Sequence, residues 1–281
     1  MGMAVPGEDE WELIVVQNNC SDETPDVLHE FATKLPLRLL IEKRQGVNFA
    51  RNAAVEGSRG ECIIFTDDDT EPDPEWLRCY AAAFSAFPDV DVFGGPISPH
   101  FTIPPPSWVV AVLPQIASAY GQLERGSRGD TFNAEFYPFG ANMAFRISAL
   151  SEIRFDGRLG PKGLSRINGS ERELVLRLLA RGHVGRWVEG ARVKHCIQPK
   201  QLESKFLRWY YTGQGAALSP EVPAGTKMLW GRPRWLWREL LESELCCALG
   251  KLRQRPDDWV PALKRASIVR GQLTRRGTSF A

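Results

Sequence analysis

No part of this 281-residue chain stays apolar for about eighteen residues, the length an ordinary transmembrane helix requires, so a membrane-spanning helix is not expected. The first dozen residues carry Glu8, Asp9 and Glu10 rather than a basic and then apolar run, and no secretory signal is visible in them. An excess of charge is also missing, because 35 Lys and Arg face 34 Asp and Glu. That balance argues against wholesale nucleic-acid binding, and any basic patch must be local. The six cysteines, at 20, 62, 79, 196, 246 and 247, include no C-x-x-C pair. Cys62 falls in an apolar stretch, where it reads as a small buried hydrophobe. A reducing, cytoplasmic compartment fits this usage. There is no internal repeat. What the chain does have is 43% hydrophobic residues, enough for one large α/β domain with a helical extension or for two small domains.

The most informative stretch is Glu61-Cys-Ile-Ile-Phe-Thr-Asp-Asp-Asp-Thr70. A short β-branched and aromatic run reads as a buried strand, and ligands of open α/β sheets collect at the carboxyl ends of such strands. Asp67, Asp68 and Asp69 stand at that end. Adjacent carboxylates repel one another, so a divalent cation is a natural partner, and hard oxygen ligands favour Mg or Mn. The structural alternative is an acidic turn that caps the helix starting near Pro74.

Around this stretch, strands are expected at 11–16, 37–42 and 91–95, with helices at 25–34, 47–58 and 74–87. Alternation on this scale predicts a mostly parallel sheet with covered faces. From 96 to 136 the pattern weakens, and Pro104-Pro-Pro106 with Gly126-Ser-Arg-Gly-Asp130 predicts an irregular insertion. Helices are expected again at 170–181 and 202–212. The section from 230 to 276 reads as helical and basic, with Trp230, Trp235, Trp237 and Trp259 beside Arg232, Arg234, Arg238, Lys251 and Arg253. Such a segment suits a lipid interface, although a helical cap packed on the domain explains it as well.

Four motifs in order carry a resemblance. Asn48-Phe-Ala-Arg-Asn52, then Gly60-Glu61 with Asp67 to Asp69, then Gly140-Ala-Asn-Met-Ala-Phe-Arg146, then Gly169-Ser-Glu-Arg-Glu-Leu-Val-Leu-Arg-Leu178 together resemble family 2 glycosyltransferases. The resemblance covers about residues 11 to 215 and implies a GT-A fold, an α/β architecture in which a Rossmann-like sheet is flanked by helices. It divides the chain into a glycosyltransferase domain at 1–215 and a C-terminal helical extension at 216–281. Members of that family normally begin with a strand and a helix before the strand that here starts near Trp11. Their absence would leave backbone groups unpaired on both neighbouring strands, so the resemblance implies a start further upstream.

By the same resemblance the donor is a nucleoside-diphosphate sugar, with UDP-sugars favoured, and the acceptor is a glycan or a lipid-linked precursor in cell-surface or exopolysaccharide synthesis. The cofactor is a divalent cation, Mn or Mg. Asp67 would hold the ribose hydroxyls with help from Asp68, Asp69 would ligate the cation, and His195 would complete the metal or diphosphate site. Asn18, Arg51, Asn52 and Asn142 are donor-side residues in this reading. Glu171 is the catalytic base, in a place where the family usually has a Glu-Asp pair and this chain has Ser170-Glu171. One base with no nucleophile pair implies inversion at the anomeric carbon. The implied location is the cytoplasm, at the inner face of the membrane. Each role has a simpler counterpart: a carboxylate in a first helical turn suits the helix dipole, and single histidines are commonly structural. Two other readings compete. A nucleotidyltransferase would show a glycine-rich basic loop near the start, and none is present. A degenerate paralogue that binds nucleotide or glycan without turnover would fit the missing strand and the Ser170-Glu171 departure.

Overall fold

The computed structural model describes residues 11–162, 165–218 and 222–274. By contacts the chain groups into two compact units. One comprises residues through 100 with 121–163 and 170–196, and the other comprises 101–120, 164–169 and 197 onward. The chain runs β1 (Leu13–Gln17), α1 (Thr24–Phe31), β2 (Leu37–Ile41), α2 (Val47–Gly57), β3 (Cys62–Phe65), β4 (Thr70–Pro72), α3 (Trp76–Ala86), β5 (Val92–Gly94) and β6 (Ile97–Phe101). It continues through α4 (Ser107–Ile116), β7 (Met143–Arg146), β8 (Gly160–Lys162), β9 (Ser165–Ile167), α5 (Ser170–Ala180), β10 (Gly185–Trp187) and β11 (Val193–Ile197). The last elements are α6 (Ser204–Ala217), β12 (Met228–Leu229), β13 (Arg232–Pro233), α7 (Arg234–Leu252) and α8 (Pro256–Thr274).

In the first unit a four-stranded sheet has the order β10-β5-β7-β3. Its β10–β5 pair is parallel, whereas β7 runs antiparallel to both β3 and β5. The sheet is therefore mixed where alternation alone suggested mostly parallel strands. The reason is that β7 arrives after a long connection and not by a one-helix crossover, which is what parallel pairing needs. β1 and β2 form a separate parallel pair. Among the described residues β1 pairs only with β2, and β3 only with β7. A third sheet has the order β4-β11-β6.

The core of this unit explains why the acidic stretch is held firmly. Ile63 and Phe65 alternate inward from β3 and pack with Val92, Phe145, Leu150, Phe155 and Leu174. Phe65 meets Phe145 and Phe155 edge-on, with ring centroids 6.1 and 5.6 Å apart, a favoured aromatic geometry. The strand thus ends at a fixed point and delivers the three aspartates there. The third helix starts at Trp76 and not at Pro74, because Asp73 and Pro74 form the turn before it: the Trp76 N–H donates to the Asp73 carbonyl.

The 96–136 region is more ordered than its prolines suggest. It contains β6 and α4, and Pro104 to Pro106 lie just ahead of the helix, where proline needs no N–H partner. Val109, Val112 and Ile116 of α4 are fully buried with Leu207, Tyr211, Val260 and Leu263, so α4 belongs to the core of the second unit. Within that unit α6 packs along α8 without intervening side chains: a Cβ on Gly215 would lie 1.9 Å from the Ile268 carbonyl. Of the tryptophans grouped by the sequence, Trp259 is interior. All six cysteines are free thiols.

Candidate functional site

The site is assembled from three elements and one turn of the first unit. β3 ends at Phe65 and the chain turns through Thr66 to Asp69 before β4; the Thr70 hydroxyl donates to the Asp67 carbonyl at 2.7 Å and fastens this turn. β4 then pairs antiparallel with β11 in a register that sets His195 opposite Thr70. A backbone bond from the Cys196 N–H to the Asp69 carbonyl, 2.8 Å long, continues the pairing into the acidic turn. The His195 Nε2 is consequently 3.3 Å from the Asp69 Oδ1. Gly121 lies against the other side of the imidazole, where a Cβ would be 3.3 Å from Nδ1.

α2 supplies the cationic partner. Gly46 precedes it with φ of +135°, a backbone state that side chains disfavour. Asn48 and Asn52, one turn apart, are clips. The Asn48 amide donates to the Asp156 carbonyl at 2.7 Å, and the Asn52 amide both donates to the Phe155 carbonyl and accepts from the Phe155 N–H. Between them Arg51 is nearly buried, stacks on the Phe155 ring at 5.4 Å, and points its guanidinium at the acidic turn. One of its nitrogens is 2.9 Å from the Glu171 carboxylate and another is 3.9 Å from Asp67.

Glu171 arrives from the first turn of α5. Gly169 turns the chain into this helix with φ of +99°, and the Ser170 hydroxyl donates to Glu171 at 2.9 Å. Desolvation pushes the Glu171 carboxyl up. The Arg51 charge, the Glu171 N–H, the Arg51 hydrogen bond and the Ser170 hydroxyl together outweigh it, and the group is held below the ordinary glutamate range. Asp67 moves the other way. Desolvation raises it, Arg51 opposes, and the Asp69 and Glu171 carboxylates add to the rise. Two carboxylates on one guanidinium are thus driven apart in acidity by their surroundings.

Sequence reasoning missed one member of this set. A Cβ on Gly140 would lie 2.1 Å from the Arg51 guanidinium and 2.7 Å from the Glu171 carboxylate. The absence of a side chain there is what lets the ion pair close. The signal available was only that Gly140 opens a recognisable motif.

Of the residues expected at the site, the structure brings together Arg51, Asp67, Asp69, Glu171 and His195. Asp68 is exposed beside them. Asn142 is not among them: it is fully buried, its carbonyl oxygen accepts from Trp76 Nε1 at 2.9 Å and Tyr80 at 2.7 Å, and its amide donates to the carbonyls of Pro96 and Ala191. These bonds use its hydrogen-bonding capacity inside the core, so its donor-side role is withdrawn. Asn52 is committed likewise to the Phe155 backbone. Asn18 ties the loop after β1, donating to the carbonyls of Glu42 and Arg44 and accepting from the Gly46 N–H.

A divalent cation fits the Asp69–His195 pair. Adjacent ligands of an octahedral Mg at ~2.1 Å each are about 3.0 Å apart, close to the 3.3 Å found between Asp69 and His195. Among the described residues no three His, Cys, Asp or Glu side chains converge on one ion position.

Comparison with known proteins bears on the family and the fold. A family model described as glycosyl transferase family 2 matches residues 6–153. EpsH of Bacillus subtilis (strain 168), which bears a glycosyltransferase name, is 34% identical over 72 residues, 25% of this chain and 21% of that protein. YfnE of the same organism, named an uncharacterized glycosyltransferase, is 35% identical over 63 residues, 22% of this chain and 16% of that one. The matches therefore span about a fifth or less of these curated relatives. Among solved structures, S. aureus TarS 1–349 in complex with UDP-GlcNAc has a TM-score of 0.52 at 14% identity, covering 96% of this chain and 82% of that one. The mannosyltransferase PcManGT from Pyrobaculum calidifontis, in complex with GDP-Man and Mn2+, has a TM-score of 0.57 at 16% identity, covering 95% of this chain and 79% of that one. At such identities these structures speak for the fold, which is GT-A.

Proposed function

The chain belongs to glycosyl transferase family 2, and from that premise we propose that it is an inverting, divalent-cation-dependent glycosyltransferase with Glu171 as its base. The observation that carries this reading is the convergence of Arg51, Asp67, Asp69, Glu171 and His195 at the end of a buried strand. The donor in this reading is a nucleoside-diphosphate sugar, in keeping with the UDP-GlcNAc and the GDP-Man bound in the two similar structures, and a UDP-linked one is favoured. The acceptor is a glycan or lipid-linked precursor of a surface or exported polysaccharide, and the C-terminal extension meets the membrane that carries it.

In this mechanism Glu171 takes the proton of the acceptor hydroxyl as its oxygen bonds to the anomeric carbon and the bond to the diphosphate breaks. Asp69 and His195 would hold a divalent cation, which when bound would supply charge neutralisation for the leaving diphosphate. Asp67, with Asp68 beside it, receives the ribose. Arg51 keeps Glu171 ionised and in place until the hydroxyl arrives. The direct test is turnover of UDP-sugars by the whole chain with Mn against the same assay with EDTA. Mn-dependent release of UDP is expected. Binding of donor without release under either condition would favour the non-catalytic alternative.

The ion pair also fixes a pH dependence. A base works only when deprotonated, and Glu171 lies below its ordinary range, so the acid limb of the transfer rate is expected below pH 4.5, the usual glutamate value. Gly140→Ala should displace Arg51 from Glu171. That removes the charge and hydrogen bond of Arg51 and leaves desolvation opposed by the Glu171 N–H and the Ser170 hydroxyl alone, so the limb moves up in pH. The fold should survive, since the displaced atoms are ends of flexible side chains. An unmoved acid limb in Gly140→Ala, with melting temperature unchanged, would count against the Arg51–Glu171 control.

A further inference from the structure

The outward face of α7 and the hairpin before it have no role in the proposed transfer. Leu241, Leu245 and Leu252 are 72%, 61% and 81% exposed. Their spacing of four and seven puts them on one line of the helix, opposite Leu236, Cys247 and Gly250, which are buried. α7 is anchored on that buried side: a Cβ on Gly250 would lie 2.8 Å from Trp259 of α8. The apolar line is therefore a surface stripe on a firmly held helix.

The hairpin adds a second feature. β12 and β13 are joined by Trp230 and Gly231, with φ of +49° and +72°. Two positive φ values in a two-residue loop ask for Asn-Gly or Gly-Gly, and a bulky residue in the first place is an outlier. Trp230 nevertheless sits there with 79% of its surface exposed. Trp237 supports it: the two rings meet edge-on at 5.2 Å, and the Trp237 indole donates to the Leu229 carbonyl at 3.0 Å. A strained turn is being used to hold an indole out in solvent.

Charge decides what meets this surface. Between 227 and 255 seven basic residues, Lys227, Arg232, Arg234, Arg238, Lys251, Arg253 and Arg255, stand against Glu239, Glu242 and Glu244, in a chain whose formal net charge is only +1. Arg234 and Arg238 share the outward face with the leucines, Arg238 in an exposed pair with Glu242 at 2.6 Å that lipid phosphates would replace. A second copy packed stripe to stripe would bring these arginines near one another or near Arg253, with Glu242 as the one acidic group on that face. An anionic bilayer surface has no such conflict, because its phosphates pair with the arginines while Leu and Trp enter the acyl boundary. No described helix is long and apolar enough to cross a membrane.

We propose that α7 and the Trp230 hairpin form a peripheral docking face for an anionic lipid surface, lying in the interface plane with Leu241, Leu245, Leu252 and Trp230 inserted and Arg234 and Arg238 on the headgroups. The proposal deepens the membrane contact assigned above to the C-terminal extension and is independent of Glu171 and the cation site.

The whole chain would be sedimented with vesicles of phosphatidylcholine alone and of phosphatidylcholine with phosphatidylglycerol. Binding is expected only to the second, falling as salt is raised. Arg234→Gln with Arg238→Gln should weaken it about tenfold, and Trp230→Ser with Leu245→Asp should abolish it. Each of these positions is exposed, so melting temperatures and Mn-dependent UDP release should not change; loss of UDP release in the unaltered chain would strike the catalytic reading and not this one. Absence of binding to anionic vesicles would overturn the docking face. So would equal binding to both vesicle types, or a lipid-free dimer that Leu245→Asp dissociates.

Discussion

Glu171→Gln is expected to lower sugar transfer by about 10²–10⁴-fold, the usual contribution of a positioned general base, while leaving donor affinity close to that of the unaltered chain. The amide keeps the size of the side chain: its one oxygen can still accept from Arg51 at 2.9 Å, and its NH2 can donate to the Ser170 hydroxyl, which lies 2.9 Å from the other carboxylate oxygen. It cannot take a proton. The measurement is a comparison of donor dissociation constant with turnover, and it separates two roles that the geometry alone leaves superimposed. A carboxylate in the first turn of α5 that served only the helix dipole would contribute about 0.3–1 kcal/mol of stability and nothing to transfer. Full turnover in Glu171→Gln, with a small fall in melting temperature, would give the residue to the helix.

The second large effect belongs to Asp69. Asp69→Ala should remove Mn-dependent tightening of donor binding and lower turnover by about 10²-fold or more, since charge stabilisation by a bound cation is worth several kcal/mol. The fold should hold, because Asp69 is two-fifths exposed and lies in a turn with Asp67 and Asp68, whose mutual repulsion its removal relieves. Titration of UDP-sugar with and without Mn tests this, with melting temperature read alongside. Donor binding that keeps the same Mn dependence in Asp69→Ala would move the cation elsewhere.

The acidic turn, the acidic start of α5 and His195 were each legible as local chemistry, but their meeting was not. His195 reaches Asp69 through the pairing of β11 with β4, a register set across more than a hundred residues. The two asparagines and the arginine of α2 look equivalent in the chain. In the fold, the helix sends Asn48 and Asn52 to the 155–159 loop and Arg51 to the carboxylates. Asn142 shows the same limit from the other side: a polar residue in a recognisable motif proved to be the buried hub of four hydrogen bonds. Prolines misled in a different way, since Pro104 to Pro106 mark the start of α4 and not a break in structure.

What the sequence determined by itself was the kind of chemistry. The β-branched run into three aspartates, the spacing of four motifs and the amphipathic helices follow from short-range rules of periodicity, turn residues and charge repulsion, and those operate within a few residues. Tertiary structure decided which groups act on one another. The antiparallel pairing of β4 with β11 brought Asp69 to His195, the glycine at 140 left room for Arg51 to reach Glu171, and packing on α8 turned one line of α7 toward solvent. Burial then raised Asp67, while Glu171, against its burial, was lowered by the pairing with Arg51 and the bonds from its own N–H and Ser170. The physical reason is that desolvation and ion pairing depend on atoms a few ångströms away in space, and the chain order records which atoms those are only through the completed fold.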